Sequence, residues 1–141
     1  KRIYLYPGFC PTHARILPER ARQMRKEYPE ARLVVHPECR PELIALADEV
    51  LSTSGFCRYA GQDDVREMIV GTEIGLIYRL RGEHPGKRFI PLSEQAICPS
   101  MKLITLEKVI RCLEKMEARV EVSREVLQPA RTAIERMLFL S

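Results

Sequence analysis

Apolar residues along this chain alternate between short continuous runs and longer stretches at helical spacing. Ile3-Tyr4-Leu5-Tyr6 reads as a strand and runs into a Gly/Pro-rich turn, Pro7-Gly8-Phe9-Cys10-Pro11. Pro18 sits where a missing N–H costs nothing and opens a helix with Leu17, Ala21, Met24 and Tyr28 on one face; Pro29 ends it. Arg32-Leu33-Val34-Val35-His36 is a short buried strand, and Pro41 starts a helix through Leu43, Ile44, Leu46 and Ala47. Glu49-Val50-Leu51-Ser52 is the next strand and enters the small-residue turn Ser52-Thr53-Ser54-Gly55.

The second half repeats the scheme. Glu67-Met68-Ile69-Val70 is a strand, Gly71-Thr72 a turn with Thr72 in an N-cap position, and Ile74, Ile77, Tyr78 and Arg81 mark a helix face that ends near His84-Pro85-Gly86. Lys87 to Leu92 returns as a strand. Thr105 caps a helix with the stripe Leu106, Val109, Ile110, Leu113 and Met116. A last amphipathic helix carries Val126, Ala130, Ile134, Met137 and Leu138, with Pro129 either near its start or bending it. Strand, turn and helix in alternation predict an α/β fold, a parallel sheet sandwiched by helices. In such sheets the turns beyond the strand C-termini gather on one edge, where ligands bind. Cys10 to His13, His36 to Cys39, Ser52 to Gly55, Gly71 to Glu73 and Ser93 to Met101 therefore belong together.

Composition narrows the classes. With 141 residues, 45% apolar and 30% charged, the chain has the makings of one ordinary core and is not a disordered tail. The net charge of +4 is dispersed among glutamates on helix faces, so nucleic acid is not implied. Charged residues interrupt every apolar run before the roughly 18 to 20 residues a bilayer demands, which excludes membrane insertion. The chain begins with Lys1 and a strand, without a basic and apolar leader, and reads as an interior point of a longer chain.

Five cysteines cannot all pair, and none forms a C-x-x-C motif, so a reducing, cytoplasmic setting is expected and a zinc ribbon has no local support. Cys112, beside Leu113 in the periodic helix, reads as a small apolar core residue, and Cys57, between Phe56 and Tyr59, reads the same way. Cys10 and Cys98 differ. Each precedes a proline in a turn after a strand, each is followed three residues later by a polar or soft side chain (His13, Met101), and they lie 88 positions apart. A weak internal repeat accounts for this, and an iron-sulfur cluster drawing one thiolate from each repeat stands beside the plainer reading of two loop cysteines. His36-Pro37-Glu38 offers an imidazole and a carboxylate for acid/base work, or is a solvated turn. Ser52-Thr53-Ser54-Gly55 offers hydroxyls and N–H groups to a phosphate or carboxylate, or is a helix cap. Gly71-Thr72-Glu73 is functional or purely structural.

Taken as continuous strings, these segments resemble the quinolinate synthase family. The matching strings are Pro7-Gly8-Phe9-Cys10-Pro11-Thr12-His13, Val35-His36-Pro37-Glu38-Cys39, Leu51-Ser52-Thr53-Ser54-Gly55, Ile69-Val70-Gly71-Thr72-Glu73, and Cys98-Pro99-Ser100-Met101-Lys102 leading into Ile104 to Val109. They occur in the family's order over essentially the whole chain. The resemblance implies three pseudo-symmetric αβα repeats around a cavity, each giving one cysteine to a single 4Fe–4S cluster with one iron open to substrate. Cys10 then matches the ligand of the middle repeat and Cys98 that of the last. Cys39, Cys57 and Cys112 are non-ligands, and the third ligand lies outside this chain. Residues 1–13 would end the middle repeat, 14–101 form the complete last repeat, and 102–141 supply closing helices.

The implied reaction condenses iminoaspartate with dihydroxyacetone phosphate to quinolinate, with loss of phosphate and water, in de novo NAD biosynthesis. His36 would hydrogen-bond substrate and Glu38 act as acid/base. Ser52 and Thr53 would hold a carboxylate or phosphate, and His13 and Met101 would line the cavity. The implied partners are the missing N-terminal repeats and the L-aspartate oxidase that supplies iminoaspartate, and the chain by itself is expected to be inactive. Two other classes remain: a small α/β phosphate- or carboxylate-binding module without catalysis, and a redox sensor using Cys10 and Cys98 as a dithiol, whose Cα atoms must then approach within about 7 Å.

Overall fold

A computed structural model describes residues 2, 7–117 and 119–140; the expected strand at 3–6 lies outside the described residues. The chain divides into two compact units, Lys1–Pro99 and Ser100–Ser141. The first carries a sheet of β1 (Arg32–Val35), β2 (Glu49–Val50), β3 (Glu67–Gly71) and β4 (Arg88–Pro91), all parallel, in the order β2-β1-β3-β4. Its helices are α1 (Pro11–Ala14), α2 (Pro18–Glu27), α3 (Pro41–Ile44), α4 (Thr53–Ala60) and α5 (Gly75–Glu83). The expected α/β class with a parallel sheet is what the chain forms.

Successive strand residues point to opposite faces, and the sequence fills both. Leu33, Val35 and Ile69 join Ile16, Ala21, Met24 and Leu43 in one core beneath α2 and α3. Val34, Met68 and Val70 join Phe56, Ala60, Ile77 and Leu80 in a second core beneath α4 and α5. Each large apolar side chain so buried contributes roughly 1.5–3 kcal/mol, which is why the strands are nearly unbroken Leu, Val, Ile and Met.

Several local expectations change. Leu17 is 48% exposed, and Ile16 is buried instead. Leu17 is the extended residue capping α2, so it lies off the helix face that Pro18 begins. The segment after α3 turns back through Leu46 and Ala47, because Asp48 is held on β1, its Oδ2 accepting from Leu33 N at 2.7 Å and its Oδ1 from Arg25 at 2.6 Å. Thr72 does not cap α5. The residue before that helix is Ile74, already helical in φ and ψ, and the exposed amide of Gly75 is taken by Glu73 Oε2 at 2.7 Å.

The second unit holds a short 3-10 turn (Met101–Leu103), α6 (Leu106–Lys115) and α7 (Arg124–Leu140). Thr105 caps α6 as expected, its Oγ1 accepting from Lys108 N at 3.4 Å. Pro129 lies inside α7, which begins before it at Arg124. Cys112 is exposed rather than a core residue, with its thiol donating to Glu117 O at 3.4 Å. The stripe it belongs to is amphipathic, and every described residue of α6 is exposed. Among the described residues no helix is long and apolar enough to cross a membrane.

Candidate functional site

The sheet ladder continues one step past the strand ends and fixes where the turns begin. Leu51 N donates to Val35 O, His36 N to Gly71 O and Leu92 N to Val70 O, each at 3.0 Å. Ser52, His36, Thr72 and the loop after Leu92 therefore leave from one edge. Gly71 makes the close approach possible: a Cβ there would stand 2.8 Å from Val35 Cγ1, and 3.2 Å from both Leu92 Cδ2 and Val34 O.

Cys10 and His13 arrive on α1, a single turn started by Pro11 and closed by Ala14 N donating to Cys10 O at 2.9 Å. His13 Nε2 lies 2.9 Å from Thr72 Oγ1, and its ring stacks on that of His36 with centroids 4.3 Å apart and planes 14° from parallel. Glu38 closes the group, with Oε2 3.3 Å from His13 Nδ1 and 3.5 Å from His36 Nδ1. The side chain of His13 is 10% exposed and that of Glu38 55%, so the carboxylate opens the group to solvent. Glu38 N donates to His36 Nδ1 at 3.3 Å, which assigns the proton of a neutral His36 to Nε2 and leaves that N–H as a donor. His13 Nδ1 is buried and makes no hydrogen bond, although Glu38 Oε2 stands 3.3 Å away. Burial above all, and then the neighbouring His36, push the His13 pKa below its ordinary value, against the opposing pull of Glu38 and Glu73. The ring is neutral at neutral pH.

Glu73 ties in the last loop. Its Oε1 accepts from Cys98 N at 3.4 Å, and Ile74 N donates to Ala96 O at 2.9 Å beside it. Thr72 and Glu73 thus connect, through adjacent side chains, to the helix bearing His13 next to Cys10 and to the loop bearing Cys98. Both cysteines are free and partly exposed. Two unpaired thiols on loops sharing one anchor are a donor set that fits iron-sulfur ligation, where each thiolate binds a different iron.

The remaining expected residues stand as follows. Ser52 caps α4, its Oγ accepting from Gly55 N at 3.4 Å and lying 3.3 Å from Ser54 Oγ, while Thr53 is the first helical residue; both are exposed, next to His36 along the edge. Met101 belongs to the second unit and is 56% exposed there. Cys39 is buried below the His36 turn, its thiol donating to Gly71 O at 3.5 Å, and burial pushes its pKa up to about 11. By sequence alone Thr72 and Glu73 are equally a functional or a structural turn. A Thr-Glu pair directly after a strand glycine at a sheet's C-terminal edge was the available signal, but their partners lie 59 and 25 positions away.

Residues 1–139 match the family model described as quinolinate synthetase A protein. The chain is 56% identical over 138 residues to a quinolinate synthase of Dehalococcoides mccartyi (strain CBDB1), covering 98% of this chain and 46% of that protein. It is 46% identical over 140 residues to a quinolinate synthase of Thermodesulfovibrio yellowstonii, covering 99% and 46%. It is 41% identical over its full length to quinolinate synthase 2 of Methanosarcina acetivorans, covering 46% of that protein. The chain spans about half the length of the curated relatives it matches.

Proposed function

Because the chain belongs to the quinolinate synthase family, we propose that it supplies about half of a cytoplasmic quinolinate synthase, which condenses iminoaspartate with dihydroxyacetone phosphate in NAD biosynthesis. The observation that carries this reading is the Glu38 carboxylate standing within 3.5 Å of two stacked imidazoles on the edge that also bears Cys10 and Cys98. In this reading Cys10 and Cys98 are two of the thiolates of a 4Fe–4S cluster, whose third cysteine belongs to the part of the enzyme this chain does not span. When bound, the cluster supplies an open iron as a Lewis acid toward substrate oxygen or nitrogen.

The chain's own residues do the rest. Phosphate and water leave during the condensation, so protons must reach the leaving oxygens and be taken from carbon. Glu38 suits both tasks, being half exposed and held by a stiff Pro37 turn beside two rings. His36 offers its Nε2–H to a substrate oxygen. Ser52 and Thr53 add hydroxyls and the N-terminal amides of α4 for a carboxylate or the phosphate. His13 lines the cavity, and residues 1–13, 14–101 and 102–141 are the end of the middle repeat, the last repeat and the closing helices of a three-repeat enzyme. The missing repeats complete the site, so the 141-residue chain makes no quinolinate alone, and an L-aspartate oxidase supplies the iminoaspartate. The test is Glu38→Gln in the full-length enzyme, which keeps the cluster and loses turnover; full activity in that variant removes Glu38 from the chemistry.

A further inference from the structure

The ligating atoms of Cys10, His13 and Glu38 all lie within 4.8 Å of one another, and two of the three, His13 and Glu38, have no part in cluster ligation. A thiolate, an imidazole nitrogen and a carboxylate oxygen are a donor set suited to zinc, whose bonds of roughly 2.0–2.3 Å place tetrahedral ligand atoms ~3.5 Å apart. The His13 Nδ1 to Glu38 Oε2 separation of 3.3 Å already meets that spacing. The second observation is independent of the clustering. His13 Nδ1 is buried without a hydrogen bond and faces the Glu38 carboxylate, a polar atom withdrawn from water that an ion between the two would satisfy. Its other nitrogen meets Thr72 Oγ1 at 2.9 Å, and in the tautomer that places the proton on Nε2 the Nδ1 lone pair is left for an ion. A ligating histidine held by an outer partner through its second nitrogen is the usual design of a metal site.

We propose that Cys10 Sγ, His13 Nδ1 and the Glu38 carboxylate form a mononuclear Zn2+ site in the cluster-free chain, with a fourth position open to water on the exposed Glu38 side. The site itself draws on geometry within the first unit, while its competition with the cluster rests on the proposed function. It shares Cys10 with the cluster, so the two occupants exclude each other, and zinc held here blocks cluster assembly.

The test uses the chain stripped of metal under reductant and titrated anaerobically with Zn2+ alone, with Co2+ as a spectroscopic stand-in. The expected result is one ion per chain and a cobalt–thiolate charge-transfer band that Cys10→Ser abolishes. His13→Ala, which removes a ligand, loses stoichiometric Zn2+ binding, and Thr72→Val weakens it by about 10-fold. Glu38→Gln, at an exposed position that tolerates the change, also weakens it, whereas Cys39→Ser and Cys98→Ser leave it unchanged. No stoichiometric ion, unaltered affinity in His13→Ala and Glu38→Gln, or loss in Cys98→Ser overturns the proposal. Iron and sulfide are absent from this titration, so a failed zinc site leaves the cluster assignment standing, and a failed cluster assignment leaves the zinc site standing.

Discussion

Thr72 Oγ1 and His13 Nε2 lie 2.9 Å apart in the buried edge of the sheet, joining a strand end to a helix 59 positions earlier in the chain. Thr72→Val keeps the shape and removes the oxygen, which leaves a ring nitrogen buried without a partner. The expected loss is about 1–3 kcal/mol of unfolding free energy. Urea denaturation checks it, with Thr72→Ser recovering most of the loss.

His13 also sets a pH dependence. Its folded pKa is depressed, chiefly by burial, so below an ordinary value of about 6.5 the unfolded chain binds a proton that the folded chain refuses. Stability is therefore complete above that pH and falls as pH drops toward the folded pKa. Denaturation midpoints measured from pH 7.5 down to 5 (about two and a half units around that value) should show the decline, and His13→Gln should flatten part of it.

Two glycines should respond in opposite directions to alanine. At Gly71 the new methyl meets Val35, Leu92 and the Val34 carbonyl, so Gly71→Ala costs about 1–3 kcal/mol through overpacking. Gly82, inside α5, has nothing within 4 Å of such a methyl, and Gly82→Ala gains roughly 0.5–1 kcal/mol in backbone entropy. Chemical denaturation of both variants settles the contrast.

The cysteines should separate by reactivity. Cys39 is buried, and its pKa is raised to about 11, whereas Cys112 is exposed. Timed alkylation near neutral pH followed by peptide mass spectrometry should modify Cys112 early and Cys39 last. Early labelling of Cys39 in folded protein would contradict its placement under the His36 turn.

The layers of the fold were legible because burial on both faces leaves nearly unbroken apolar strands, and Pro18 and Thr105 mark helix starts by local chemistry. The gathering of His36, Ser52 and Thr72 on one edge was legible too, since parallel strands send their following turns to the same side. What the chain did not disclose depends on partners distant in sequence. Thr72 looks like a cap by its position, yet a ring from α1 claims its hydroxyl, and Cys112 sits in a core-like stripe but is exposed. Leu17 was expected on the buried face, but it is the extended residue before Pro18 and points outward, while Ile16 is buried.

Cys10 and Cys98 as thiolates of one cluster are the centre of this account, and anaerobic iron-sulfur reconstitution of the full-length enzyme tests it most directly. Wild type is compared with Cys10→Ala and Cys98→Ala for iron, acid-labile sulfide and quinolinate formation. Both variants should lose the cluster and the activity. A normal cluster with full turnover in either variant would contradict the assignment.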